Sequence, residues 1–241
     1  MSSTAILLAA GSSSRMQGSV EDKVLAPLAG KPLLLHSIQA FLDSGILDQF
    51  TIVYRDAAQK EAIQNALDPL DPFKGEITWV QGGQERQHSV ANSLQAQAAT
   101  CNFVYIHDCA RPLITPRAIQ DLAAAVQADK AAVLAHPVTD TIKRIPASEQ
   151  LVSTELEDLD RSRLWAMETP QAFAYPEIHK AYQNVQSKQL RITDDTAAAA
   201  TIGLKTTIVP NTSPNPKITH PEDLLYAECL LDQSRNPQSG Y

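Results

Sequence analysis

From the N-terminus to Pro137, short apolar runs rich in β-formers alternate with longer stretches of helical period. The apolar runs predict strands at Ala5–Ala9, Phe50–Tyr54, Ile77–Val80, Phe103–His107 and Ala131–Ala135. The stretches between them predict helices near Pro32–Ser44, Ala57–Leu67, Gln87–Ala98 and Pro116–Ala128. Pro32 and Pro116 suit a first helical turn, where a missing N–H costs nothing, and Thr115 is a good cap before the second. Such alternation implies an α/β fold, a mostly parallel twisted sheet with helices on both faces. In sheets of this kind ligands bind beyond the C-terminal ends of the strands, which is where Gly11, Asp108 and Pro137 fall.

After Pro137 the rhythm changes. Val138–Ile145 alternates like a strand, Pro146–Glu149 reads as a turn, and Gln150–Asp160 is polar and acidic. This is long for a plain connection, so residues 138–165 read as a projecting arm or dimer element, with a solvated loop as the plainer option. Regularity returns with helices at Pro176–Ser187 and Asp194–Ile202, the latter capped by Thr193, and a strand at Thr206–Val209. A last helix begins at Thr219, which has capping-box spacing with Glu222. The expected organisation is one domain over residues 1–232 and a disordered polar tail at 233–241.

Composition narrows the chemistry. A net charge of −7 over 241 residues argues against binding nucleic acid by broad phosphate neutralisation, so an anionic ligand must be held by a few placed cations and backbone N–H groups. No apolar run approaches the ~20 residues that span a bilayer. Ala5–Ala10 is too short, and lacks the basic flank, for a signal peptide. The 3 cysteines are far apart and the 6 histidines scattered, which suggests neither a disulfide framework nor a zinc site and makes a reducing cytoplasm the expected compartment.

Candidate chemistry begins at Ala9-Ala10-Gly11, where a strand stops and small residues follow. Neither a Walker A loop nor GxGxxG is present. Backbone N–H groups here can approach an anion, with the Arg15 fork and the Lys23 point charge beside them. A serine-rich surface turn with two solvated cations fits the spacing equally well. Gly82-Gly83-Gln84 with Ser89 can read a base edge, or be a strand-to-helix turn with Glu85 and Arg86 exposed. In His107-Asp108-Cys109-Ala110-Arg111, Asp108 can hold a hydroxyl or a Mg²⁺-bound water and Arg111 a phosphate, or the two can brace a loop. Cys109 reads as packed rather than nucleophilic, and His107 as a strand-end residue.

The segments LLAAGSSSRM, GKPLLLHS, GGQERQHSV, HDCARP, PVTDTIKR, DRSRLWAMETPQAF, TDD and NPKITHPEDL, in that order, resemble the 2-C-methyl-D-erythritol 4-phosphate cytidylyltransferases of the non-mevalonate isoprenoid pathway. The resemblance covers nearly the whole chain and implies a Rossmann-like nucleotidyltransferase fold, a homodimer, and CTP with Mg²⁺ or another divalent cation. It assigns Ala9, Ala10 and Gly11 to the triphosphate, Arg15 and Lys23 to the transition state, and Gly83, Gln84 and Ser89 to cytosine. Asp108, Arg161 and Lys217 match residues that contact the alditol phosphate, with Thr141 and Thr169 beside them, and Arg111 joins this set by its place near Asp108. Thr141 and Arg161, on the arm, would serve the partner subunit. Metal ligands are not implied. Family members usually place Pro before the lysine, whereas Asp22 stands here and is expected to weaken the field of Lys23 or hold it away from substrate. Rival readings are a ribitol 5-phosphate cytidylyltransferase, a silent CTP-binding homologue and, more remotely, a dinucleotide-dependent oxidoreductase.

Overall fold

The structure, a computed structural model, describes residues 2–16, 20–47, 49–68, 77–146 and 151–235. Its main sheet contains β1 (Ser2–Leu8), β4 (Gln49–Tyr54), β5 (Ile77–Gln81), β6 (Cys101–Asp108), β7 (Ala131–Pro137), β10 (Trp165–Ala174) and β11 (Thr207–Pro210). The spatial order is β11-β7-β10-β6-β1-β4-β5. Two small ribbons, β2 (Pro27–Leu28) with β3 (Lys31–Pro32) and β8 (Lys143–Arg144) with β9 (Glu157–Asp158), lie outside it. The helices are α1 (Leu33–Ser44), α2 (Ala57–Leu67), α3 (Arg86–Gln95), α4 (Pro116–Asp129), α5 (Tyr175–Ser187), α6 (Asp195–Ala200) and α7 (Pro221–Arg235).

Strands buried on both faces explain the near-continuous apolar runs. Ala5 and Leu7 of β1 point into a core shared with Ile38 and Phe41 of α1, Ile63 of α2 and Leu122 of α4. Ile6 points the opposite way, among Val90 of α3, Ile178 of α5 and Ala198 of α6. Helices therefore cover both faces, and the expected α/β architecture is observed.

β1, β4, β5 and β6 run parallel, so their C-terminal ends share one edge. That edge gathers Ala9–Gly11, Arg55, Gly82–Gly83 and Asp108 from four separate stretches of chain. β10, which the apolar pattern does not predict, inserts antiparallel between β6 and β7. Its inner half is buried yet carries Glu168, Thr169 and Gln171, so hydrophobic alternation is absent there.

Several local expectations change. Pro32 is the N-cap of α1 rather than its first helical residue, whereas Thr115 caps α4 as expected. Asp194, not Thr193, caps α6, its carboxylate accepting the Ala197 N–H at 2.9 Å. At α7 the carboxylate of Asp223, not Glu222, accepts the N–H groups of Thr219 (2.6 Å) and His220 (2.8 Å). The acidic stretch after Pro146 contributes β9, which pairs with β8 so that Lys143 meets Asp158 and Arg144 meets Glu157. The expected Pro146–Glu149 turn lies largely outside the described residues, as does most of the polar tail. No helix among the described residues is long and apolar enough to cross a membrane.

Candidate active site

A cleft of about 440 Å³ opens at the C-terminal edge of the parallel strands. It is lined by Ala9–Ser13 and Arg15, by Gly83–Arg86 and Ser89, and by Lys23, Arg55, Asp108 and Lys217. Among the described residues, the N–H groups of Ala10, Gly11 and Ser12 have no acceptor, whereas the Ala9 N–H continues the sheet to the Val53 carbonyl at 2.9 Å. The Ala9 carbonyl accepts from Gln59 Nε2 at 3.0 Å and the Gly11 carbonyl from an Arg55 guanidinium N–H at 3.3 Å. A loop with its Ala9 and Gly11 carbonyls committed and its amides free can cradle an anion. A side chain at Gly11 would meet nothing within 4 Å, so the space over the loop is open.

Arg15 sits on a short 3-10 turn anchored by the fully buried Met16. The Lys23 N–H donates to Ser13 Oγ at 2.9 Å, and its ammonium donates to the Ile218 carbonyl at 2.8 Å. Burial, and then the neighbouring charges of Lys217 and Arg15, lower the Lys23 pKa from the ordinary lysine value. Three cations thus share one small volume, an arrangement that becomes favourable when an anion enters. Asp22 does not engage the Lys23 ammonium as expected; its carboxylate turns to the Val24 N–H, Gln59 and Arg55.

The glycine turn lies against the cradle. A Cβ on Gly82 would stand 2.6 Å from Ala10 Cβ, so only glycine lets the two loops approach this closely. Ser89 Oγ accepts the Gly83 N–H at 3.0 Å and donates to the Glu85 carbonyl at 3.3 Å, which holds the turn. Gly83 and Gln84 face the cleft.

Arg86 is not the solvated first-turn residue that its place in the sequence suggests. Its fork grips the fully buried Asp195 through two hydrogen bonds of 3.0 and 2.7 Å, and its Nε donates to Asp108 at 3.1 Å. Tyr182 adds a 2.5 Å hydrogen bond to Asp195. The other Asp108 oxygen accepts from the Lys217 ammonium at 2.6 Å. Burial pushes the Asp108 carboxyl upward, but Arg86 and Lys217 outweigh it and hold it well below the usual carboxylate range. Arg86, Asp195 and Arg55 were missed by sequence reasoning because their partners lie far along the chain and no local spacing marks them.

Arg111 is not among the cleft-lining residues; its guanidinium donates to the Asn215 carbonyl at 2.7 Å, bracing the segment that delivers Lys217. Thr169 is buried beneath Asp108, accepting its N–H at 3.1 Å and bonding His107 Nδ1 at 3.2 Å. Thr141 and Arg161 lie exposed on the arm and do not line this chain's cleft; Arg161 donates to the Thr139 carbonyl at 2.6 Å. Cys109 is buried, and burial raises its thiol pKa beyond the range of an activated nucleophile. No cluster of three or more His, Cys, Asp or Glu side chains suited to a metal ion occurs among the described residues.

An amide cradle, converging cations and a neighbouring glycine turn on a Rossmann-like sheet define a nucleotidyltransferase-type α/β protein. A family model described as IspD, 2-C-methyl-D-erythritol 4-phosphate cytidylyltransferase, matches residues 3–233. The chain belongs to the 2-C-methyl-D-erythritol 4-phosphate cytidylyltransferase family. It is 37% identical over 230 residues to the enzyme of that name from a Synechococcus species, covering 95% of this chain and 96% of the relative. Identity to the one from Caldanaerobacter subterraneus subsp. tengcongensis is 37% over 234 residues, covering 96% and 99%. Among solved structures, the Thermus thermophilus cytidylyltransferase superposes with a TM-score of 0.75 at 26% identity, covering 96% of this chain and all of that one. The synthase from Anaerococcus prevotii shares the fold with a TM-score of 0.83 at 24% identity, each chain covered to 96%.

Proposed function

We propose that the protein joins CTP and 2-C-methyl-D-erythritol 4-phosphate to give 4-diphosphocytidyl-2-C-methyl-D-erythritol and pyrophosphate. The observation that carries this reading is the cleft of a family member in which residues with free amides, Ala10–Ser12, share the lining with Arg15, Lys23 and Lys217. The amides and Arg15 hold the triphosphate, and Gly83, Gln84 and the Ser89-pinned turn read cytosine. Asp108 and Lys217 receive the alditol phosphate. Arg111 keeps Lys217 in place through Asn215, and Thr169 does the same for Asp108 from below.

The attacking phosphate, with a second pKa of ~6, is largely dianionic at neutral pH. It needs no general base, which suits a cleft whose described lining has cations and no histidine. An oxygen of that phosphate attacks the α-phosphorus of CTP, the bond to the bridging oxygen breaks, and pyrophosphate leaves with the electron pair. The barrier is repulsion between anions, so positioning and fixed positive charge at Arg15 and Lys23 do the catalytic work. A divalent cation fits as a companion of the nucleotide, since phosphates supply most ligands to Mg²⁺ and Asp108, a buried acid of the cleft, already holds Lys217. When bound, it would neutralise triphosphate charge.

The arm supports a homodimer. Leu151 and Val152 are 74% and 84% exposed, and among the described residues the β8–β9 ribbon is held by charge pairs while Ile142, Ile145 and Leu156 beside it are also exposed. A second subunit burying these side chains would bring Thr141 and Arg161 to its own cleft. The test is incubation with CTP, Mg²⁺ and either methylerythritol phosphate or ribitol 5-phosphate, following pyrophosphate release and the CDP-alcohol by mass. Turnover with methylerythritol phosphate is expected. Preference for ribitol phosphate, or nucleotide binding without pyrophosphate release, would overturn the proposal.

A further inference from the structure

Asp22 precedes Lys23, and its buried carboxylate, only 8% exposed, is the centre of a contact set that no local motif announces. Oδ1 accepts the Val24 N–H at 3.1 Å and so caps the 3-10 turn that carries Lys23. Oδ2 accepts from Gln59 Nε2 at 2.6 Å and from an Arg55 guanidinium N–H at 3.2 Å. Each of these donors also holds a carbonyl of the cradle, Gln59 that of Ala9 and Arg55 that of Gly11. The donors are themselves fixed: Gln59 Oε1 accepts the Arg55 backbone N–H at 2.6 Å, and Arg55 Nε donates to Asp56 at 2.8 Å.

The geometry of a trans peptide gives this arrangement its consequence. The C=O of one residue and the N–H of the next point in opposite directions across a rigid plane. Holding the Ala9 carbonyl toward Gln59 turns the Ala10 N–H the other way, and holding the Gly11 carbonyl toward Arg55 does the same for Ser12. Both N–H groups belong to residues lining the cleft and have no acceptor among the described residues. The same carboxylate sets the turn from which Lys23 extends. One acid therefore couples the direction of two cradle peptides to the seat of a cation.

We infer that Asp22, acting through Gln59 and Arg55, is a positioning residue that presets the cradle for the triphosphate of CTP without touching substrate. The inference rests on the proposed function. Asparagine at this position is the same size but cannot satisfy the set: its amide nitrogen would face either the Val24 N–H or the two side-chain donors.

The experiment measures steady-state kinetics of Asp22→Asn, Gln59→Ala and the double variant, with CTP and methylerythritol phosphate varied separately, plus calorimetric binding of CTP with Mg²⁺ alone. Asp22→Asn should raise the CTP KM and Kd about tenfold, the scale of losing a charge-assisted hydrogen bond, and leave the KM for the alditol phosphate within about twofold. The double variant should be less impaired than the product of the two single effects. Unchanged CTP affinity in Asp22→Asn, or equal rises in both KM values with a lower Tm, would overturn the inference. Should Asp22→Asn fail to fold, Gln59→Ala alone must still show the selective rise in CTP KM; its absence refutes the brace. A wild-type protein that binds CTP but releases no pyrophosphate overturns the proposed reaction and leaves the binding measurement to judge the brace.

Discussion

Acidification should destabilise this protein through one buried imidazole. His107, the penultimate residue of β6, is fully buried and packs edge-on to Phe41 with ring centroids 5.5 Å apart. Its Nε2 lies 3.1 Å from the Arg111 carbonyl, which can only accept, so Nε2 carries the proton. Nδ1 then accepts from the Thr169 hydroxyl at 3.2 Å, and that hydroxyl in turn accepts the Asp108 N–H. A second proton on Nδ1 would place a full positive charge inside the core, where burial outweighs the hydrogen bonds that Arg111 and Thr169 offer it. Burial lowers the His107 pKa from 6.5 to about 4, with Asp108 opposing and Arg111 reinforcing the shift. Because the unfolded chain binds this proton and the native state refuses it, stability is complete above pH ~7, falls as pH drops from ~6.5 toward ~4, and loses about 3 kcal/mol over that window. The assay is urea unfolding at a series of pH values for wild type and His107→Gln. The variant removes this titration alone, so the difference between the two pH profiles isolates it from other groups. Wild type should lose about 3 kcal/mol more than the variant between pH 7 and pH 4. Parallel profiles would refute the assignment of a neutral, proton-refusing His107.

Arg15→Ala and Lys23→Ala should each lower kcat by about 10²–10³ with much weaker effects on CTP binding, measured by pyrophosphate release; near-full turnover by Lys23→Ala would remove it from the mechanism. Asp195→Asn should destabilise by about 3–5 kcal/mol, because it strips a buried guanidinium of its bidentate partner, and should lower Tm in a thermal melt by about 6–20 °C. A melt within a few degrees of wild type would show that Asp108 suffices to hold Arg86. In mixed dimers of Arg161→Ala and Lys23→Ala subunits, one composite site should stay intact and active; inactivity would argue against arm sharing.

Much of the fold is legible because two periodicities dominate it. Strands buried on both faces leave nearly unbroken apolar runs, and α1 to α5 leave helical spacing, so the alternation of the first half reads directly. β10 escapes for a physical reason. Its buried residues Glu168, Thr169 and Gln171 serve hydrogen-bond networks with Asn215, Asp108 and Asp195 rather than packing. A strand whose interior is polar has no hydrophobic signature, although its burial is as complete as that of its neighbours. The misassigned caps at α6 and α7 are of a different kind. At each, several polar residues in succession could accept the orphan N–H groups, and only backbone geometry chooses among them.

The site divides along the same line. Residues that bring a local motif to the cleft, such as Ala9–Gly11 and Gly82–Gly83, are legible because a glycine or a run of small residues records a close approach of backbone. Residues that act by holding others are not. Asp22 illustrates the difference most sharply: beside Lys23 in sequence, it suggests direct charge cancellation, yet covalent neighbours on an extended backbone point to opposite sides. Its carboxylate turns to Arg55 and Gln59, and the lysine turns to the Ile218 carbonyl. The same logic explains how a chain of net charge −7 maintains a cationic cleft. Of the acids at the cleft, Glu85 lines it and pairs with the exposed Arg191, whereas Asp22, Asp108 and Asp195 are each buried against a guanidinium, with Asp108 also against the Lys217 ammonium. Committed in this way, they fix the cations that border the open space. Arg15 and Lys23 have no carboxylate partner among the described residues and remain free to respond to an incoming phosphate. Charge count is thus a poor guide to this cleft, and the decisive property is which charges are already spent on one another.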